Sequence, residues 1–381
     1  MKHAYIALGL LAISAQGQRI EARNADHLEV AVERAMKETG AKGLAIAVIE
    51  NGKVQTVRAF GVRNAAGAPL TTNTVMYGAS LTKSVFGYLT TLLAQENKLQ
   101  LDVPIANMLP RPLPDYGNLD AYGNWGDLAG DPRWKLITPR MVLNHSTGFA
   151  NFSFLEPDRK LRIHFSPGSR YAYSGEGIML LQFALEKGRG LDVGKELQSR
   201  FFGPLGMRNT SLVWRPSFSE NLADGWDEQG KVEPHDERSR VRAAGSMDTT
   251  IADLAIMTAA MVRGYGLKRK WREEFAKGTR AITTAQQFPT LLPDAEPDAR
   301  PSAAAGLGVI SFSGPQGAGW YKGGHNDSTA NTLVCLERRK RCVLVLSNDV
   351  RAERAFPMLV RSILGDTGVP YRWEYPGLAS Y

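Results

Sequence analysis

Apolar residues recur at helical spacing near the start of the chain (Leu28, Val32, Met36) and the pattern stops at Gly40, which predicts a helix over 25–39. Gly43 to Ile49 then alternates as a strand. Asn51-Gly52 is a hairpin turn signal, and Val54 to Gly61 returns as the partner strand. Ser80 to Gln95 reads as a helix with Val85, Leu89, Leu92 and Leu93 on one face. From Pro104 to Trp134 the chain is rich in Pro, Gly, Asp and Asn and reads as loop. Thr138-Pro139, a cap followed by proline at the first helical position, opens a short helix to His145 that Gly148 ends. Gly177 to Lys187 is a further helix, closed by Gly188. Beyond about residue 241 a helix over Thr250 to Val262 leads to strands at Leu307 to Phe312, Gly319 to Gly323, Thr332 to Leu336 and Cys342 to Ser347, and a last helix over about Ala352 to Leu364. Strands at both ends with helices between them predict one sheet split by a helical insertion. Residues 25–99 and 241–381 would form an α/β sandwich domain and 100–240 a helical domain.

Composition narrows the class. With 43% apolar and 22% charged residues in 381, the chain is an ordinary globular one with room for a large core. The net charge of +8 raises the question of nucleic acid. The cations are scattered, however, and the densest run, Arg338 to Arg341, lies between two apolar runs where a solvated turn accounts for it, so no nucleic-acid partner is expected. Lys2, the apolar stretch Ala4 to Ile13 and Ala15-Gln16-Gly17 have the form of a signal peptide over 1–17, implying a periplasmic or secreted protein. No later stretch is apolar for long enough to span a bilayer. Cys335 and Cys342 would face each other across two antiparallel strands, either as a disulfide or as two buried thiols.

Three groups of residues carry candidate chemistry. Ser80-Leu81-Thr82-Lys83 is the chain's single Ser-x-x-Lys; on a helix the two side chains share a face at its N-terminus. A serine hydroxyl needs a base within hydrogen-bond reach, and a lysine serves only if its pKa falls. By itself this spacing describes two surface residues equally well. Tyr171-Ala172-Tyr173-Ser174-Gly175 follows Pro167-Gly168, and a phenol beside two lysines would have a lowered pKa and shuttle protons. Trp320-Tyr321-Lys322-Gly323-Gly324-His325 is a strand ending in glycines, which let a substrate approach the backbone, with a lysine able to hold a carboxylate; a hairpin-edge lysine is the plainer alternative.

In this order the three resemble the class C β-lactamase and penicillin-binding family of serine hydrolases, whose pattern is Ser-x-x-Lys, Tyr-x-Asn, and Lys-Thr-Gly or His-x-Gly. Ile137 to Gly148, Pro204-Leu205-Gly206-Met207 with Asn209-Thr210, and Ala244 to Met247 with Ala252-Asp253-Leu254 resemble further segments of that family, so the likeness runs over about 25–365. It implies an α/β (α+β) fold of the DD-peptidase/β-lactamase kind: an antiparallel sheet flanked by helices, an inserted all-helical lobe, and the site between them. It also implies roles. Ser80 attacks the carbonyl, Lys83 takes its proton, and Tyr173 protonates the leaving group. The N–H groups of Ser80 and His325 form the oxyanion hole, and Lys322, with Gly323, Gly324, His325 and Gly175, contacts an anionic substrate.

Two positions depart from the pattern. Gly175 replaces the asparagine that grips an acylamino group, and Gly323 replaces a carboxylate-binding threonine. Both argue against efficient β-lactam hydrolysis, whereas Lys322 suits a carboxylate. The absence of Gly-x-Ser-x-Gly, of metal-ligand spacings and of a phosphate loop leaves no α/β-hydrolase elbow, metal or cofactor to expect. His145 reads as structural and His325 as lying at the edge of the site. Three functions stay open: a β-lactam or D-amino-acid peptide hydrolase, a carboxylesterase or acyltransferase, and a penicillin-binding sensor acylated once and slow to deacylate. The substrate would be a small molecule or peptide and the protein a monomer.

Overall fold

The computed structural model describes residues 27–375 and Leu378; the leader-like segment 1–17 lies outside the described residues. A first helix α1 (residues 27–39) precedes the hairpin β1 (Gly43–Glu50) and β2 (Lys53–Gly61). After α2 (Leu81–Gln95) the chain leaves the sheet, and it returns only at β3 (Arg280–Ala281). The strands β4 (Ala303–Ala305), β5 (Ile310–Gly314), β6 (Gly317–Asn326), β7 (Thr329–Leu336) and β8 (Arg341–Ser347) follow. They form one antiparallel sheet in the order β2-β1-β8-β7-β6-β5-β4-β3, so the N-terminal hairpin closes against the last strand.

Both faces of this sheet are covered, because alternate residues of the central strands are apolar on both sides. Ala45, Ala47 and Ile49 of β1 and Leu344 and Leu346 of β8 join the core under α2 and α5 (Ile251–Arg263). Leu44, Ile46, Val343 and Val345 join the opposite core with α1, α7 (Phe356–Leu364) and the C-terminal residues Tyr371, Trp373 and Tyr375. Between α2 and α5 run α3 (Pro139–Leu143) and α4 (Gly175–Phe183), several 3-10 and π turns, and two hairpins with two-residue strands. Thr138 and Ser174 cap α3 and α4 by accepting from the N–H groups of Met141 and Gly177. Among the described residues no helix is long and apolar enough to cross a membrane, and no cluster of His, Cys, Asp or Glu is placed to hold a metal.

Three expectations shift. Helix α4 begins at Gly175 rather than Gly177, since Ser174 supplies the cap. The strand expected from Leu307 to Phe312 starts only at Ile310, because 306–309 form a turn between β4 and β5 in which Gly306 N–H donates to Val309 O (2.8 Å). Gly308 in that turn has φ +82° and lies against α2, where a Cβ would come within 2.5 Å of Lys83 O. The amphipathic helix α6 (Arg269–Ala276) was not predicted, because it is mostly charged and buries only Phe275.

Cys335 and Cys342 are register partners on β7 and β8 and are joined by a disulfide, which decides between the two alternatives. The bridge closes a short loop, so its contribution is modest, about 2–3 kcal/mol by chain entropy. Denaturant unfolding with and without reductant should show the midpoint falling correspondingly on reduction. An unchanged midpoint would mean that the strands hold this register without it.

Candidate active site

Ser80 sits at the N-cap of α2, after Ala79 at φ +46°. Lys83, one turn on, is buried and its Nζ donates to Ser80 Oγ (2.8 Å) and to Ala244 O. Tyr173, just before α4, donates its OH to the same Ser80 Oγ (2.7 Å). The structure therefore brings together, on one oxygen, the three residues singled out as catalytic. Among the described residues the Ser80 N–H makes no hydrogen bond and is free to receive an oxyanion. Gly324 comes so close that a Cβ there would lie 2.9 Å from both Ser80 N and Leu81 N, in the space an incoming carbonyl needs.

Lys322 points from β6 toward the same place, with its Nζ 5.2 Å from the centre of the Tyr173 ring; Lys83 Nζ is 4.9 Å from that ring. Burial, with Lys322 and Arg242 nearby, pushes Lys83 far below the ordinary lysine value. Lys322 is itself pushed down to about 8 by burial, with Glu374 opposing. Tyr173 moves the other way from the sequence expectation. Burial raises it, and the nearby Glu374 adds to the rise, outweighing the hydrogen bond with Ser80. The resting pair is thus an amine and a phenol, a base and an acid on either side of one hydroxyl.

His145 is buried beneath the site. Its Nδ1 accepts from Ser174 N–H (3.2 Å) and its ring lies 4.5 Å from that of Tyr173, so it supports the phenol as a structural residue should. Burial and the two lysines keep it neutral. His325 lines the rim between Phe288 and Tyr375, pushed down to about 4 by burial and Lys322.

These residues open onto a cavity of about 660 Å³. Its strand wall exists because β6 outruns its neighbour: β5 pairs only as far as Tyr321, so the edge from Lys322 to Asn326 is uncovered on that side. The two glycine departures have their vacated space filled. A Cβ at Gly175 would meet the Phe152 ring at 2.2 Å, and one at Gly323 would meet Glu374 Oε1 at 2.0 Å. Sequence reasoning missed Phe152 and Glu374, and also Asn151, which accepts from Gly175 N–H through Oδ1 (2.9 Å) and lines the cavity, its Nδ2 making no hydrogen bond among the described residues. Arg242, also in the wall, has no ion-pair partner among the described residues. Only Asn151 had a signal, its place just past the Ile137–Gly148 segment; Glu374, from the far C-terminus, had none.

The Beta-lactamase family model matches residues 28–364. The chain belongs to the Beta-lactamase family. This family member carries the serine hydrolase scaffold of its relatives and is 26% identical over 201 residues to a beta-lactamase of Pseudomonas fluorescens, covering 52% of this chain and 54% of that protein. It is 24% identical over 203 residues to esterase EstB of Burkholderia gladioli, covering 50% and 52%. The chain thus spans about half the length of these curated relatives. Its fold is that of an octameric penicillin-binding protein homologue from Pyrococcus abyssi (TM-score 0.70, 19% identity, 93% of this chain and 80% of that one). It also matches the D-alanine carboxypeptidase AmpC from Burkholderia cenocepacia (TM-score 0.69, 18% identity, 90% and 98%). Of the other family segments, Ala244, Gly245 and Ser246 border the cavity, while Asp253 Oδ2 accepts from Asn209 N–H (2.8 Å) and Thr210 Oγ1 (3.0 Å), tying the Pro204–Thr210 stretch to α5.

Proposed function

We propose that this protein is a serine hydrolase that forms an acyl-enzyme through Ser80. The observation that carries it is the convergence of Lys83 Nζ and Tyr173 OH on Ser80 Oγ beside an unengaged Ser80 N–H. Ser80 Oγ bonds to the substrate carbonyl carbon as its proton passes to the neutral Lys83 amine. The carbonyl oxygen becomes an oxyanion held by the N–H groups of Ser80 and His325; losing one such donor typically costs about 10²–10³ in rate. As the tetrahedral intermediate collapses, the leaving oxygen or nitrogen takes the proton of Tyr173 OH, which is restored from Lys83. Water then attacks the acyl carbon, giving one proton to the same relay, which passes it to the departing Ser80 Oγ, while the other stays on the acid product.

The preferred substrate class is an ester of modest size, ahead of β-lactams and D-amino-acid peptides. Phe152 at Gly175 and Glu374 at Gly323 support this choice, since they replace an amide donor with an aromatic face and a hydroxyl with an acid. EstB is an esterase by name, and its likeness to this chain agrees. Export as a monomer fits the same reading, and the Cys335–Cys342 bridge supports an oxidising compartment. The division into a sandwich domain (25–99, 241–381) and a helical domain (100–240) is supported by all eight strands of the main sheet lying outside the latter.

The test is the ratio of kcat/KM for a chromogenic cephalosporin to that for a short-chain nitrophenyl ester. A ratio far below one is expected. A ratio above one would make β-lactams the substrate class, and a stoichiometric adduct without turnover on either substrate would make the protein a sensor.

A further inference from the structure

The C-terminal residues bring an acid within electrostatic reach of Lys322. Tyr371–Glu374 is a short helical turn packed against the back of the sheet. It is held by Gln287 N–H donating to Trp373 O (2.7 Å), by Trp373 Nε1 donating to Thr284 Oγ1 (3.2 Å), and by the burial of Tyr371, Trp373 and Tyr375. This turn delivers Glu374, itself buried, to the wall of the catalytic cavity. One carboxyl oxygen occupies the space a side chain at Gly323 would need; the other, Oε2, makes no hydrogen bond among the described residues. Gln287 also lines the cavity, beside Glu374.

We propose that Glu374 is a specificity-determining residue that cancels the anion-attracting charge of Lys322, so that the subsite beside β6 takes an uncharged, hydrogen-bond-donating substrate group and rejects a carboxylate. A buried acid in the cavity wall gains from a hydrogen-bond donor, and a substrate amide N–H or hydroxyl reaching the Glu374 carboxyl supplies one. A substrate carboxylate brings none and meets a like charge at short range in a poorly solvated wall. Burial pushes the Glu374 carboxyl up and the Lys322 amine down, and each group partly offsets the other's shift. Lys322 then acts on Lys83, keeping it deprotonated, rather than on a substrate anion. The substrates this selects are neutral acyl esters bearing an amide or hydroxyl near the reacting carbonyl.

The inference rests on the hydrolase reading above, and the experiment separates the two. The probes are the 4-nitrophenyl monoester of glutaric acid and the matching glutaramide ester, which differ only in carboxylate against carboxamide. Labelling of Ser80 by a fluorophosphonate reports the nucleophile independently of either. Wild-type protein is expected to prefer the carboxamide in kcat/KM by on the order of 10–100-fold, the range of one unfavourable charge contact. Glu374→Gln should shift that ratio toward the carboxylate by a similar factor while Ser80 labelling persists. An unchanged ratio in labelled Glu374→Gln overturns the proposal. Should that variant not fold, the wild-type ratio decides alone, and a preference for the carboxylate overturns it. Loss of labelling in wild-type protein would instead defeat the hydrolase reading.

Discussion

Ser80→Ala is expected to lower turnover of any ester by on the order of 10⁴–10⁶-fold, as removal of a nucleophile does in enzymes with a comparable relay. The loss should fall on kcat, because the cavity walls, Lys322 and the β6 edge are untouched and still bind substrate. Ser80 also contributes little to stability. It sits at the N-cap of α2 without a side-chain capping bond, and its hydroxyl serves only Lys83 and Tyr173. The variant should therefore fold normally and fail to react with a fluorophosphonate. Rates of nitrophenyl ester hydrolysis by purified wild-type and Ser80→Ala protein decide the matter. A residual rate within tenfold of wild type would remove Ser80 from the mechanism.

Lys83→Met should cost about 10²–10⁴-fold, the usual worth of a positioned general base, and should stabilise the protein at the same time. The sign follows from linkage. Lys83 is buried and its folded pKa lies well below the ordinary 10.5, so between the folded and unfolded values the unfolded chain holds a proton that the folded chain has released. That penalty is complete below the folded pKa and disappears as pH rises toward 10.5. The gain from methionine is therefore largest at neutral and lower pH and shrinks in alkaline solution. Denaturation midpoints at pH 7 and pH 10 measure it; a destabilised Lys83→Met at pH 7 would mean that the lysine is buried as a charged, satisfied group. In wild-type protein the acid limb of the kcat/KM profile reports the same lysine. Because the Lys322 charge helps hold Lys83 down, Lys322→Met should move that limb to higher pH.

The local elements were legible because each rests on short-range physics. The spacing of Val85, Leu89, Leu92 and Leu93 makes α2, and Asn51-Gly52 makes the β1–β2 turn. Thr138-Pro139 starts α3, and the alternation of Thr332 to Leu336 and Cys342 to Ser347 makes the two inner strands. The pairing of Cys335 with Cys342 followed from two strands and a short loop, but whether the sulfurs bond did not. The misses were elements whose reason is a neighbour: α6, charged on most of its surface, and the β4–β5 break, where Gly308 must lie against the Lys83 carbonyl.

The candidate site divides in the same way. Ser80 and Lys83 are one helical turn apart, so a linear pattern is enough to put them side by side. Tyr173, Gly324 and Lys322 were assembled from separate motifs by resemblance, and the fold brings Tyr173 to the Ser80 hydroxyl, Gly324 to the Ser80 N–H and Lys322 to the Tyr173 ring. Charge state was another matter. The Tyr173 pKa was expected to fall beside two lysines and instead rises, because desolvation, with Glu374 nearby, outweighs the hydrogen bond with Ser80. The residues that fill the places of the two missing side chains were also invisible: Phe152 stands 23 positions from Gly175 and Glu374 stands 51 from Gly323. By itself, then, the sequence determined most of the elements, the family and the candidate serine with its neighbouring lysine, all set by residues near one another in the chain or by recurring motifs. Tertiary structure alone decided the protonation of the relay and the lining of the cavity, because both depend on burial and on contacts between segments that meet only when the sheet closes.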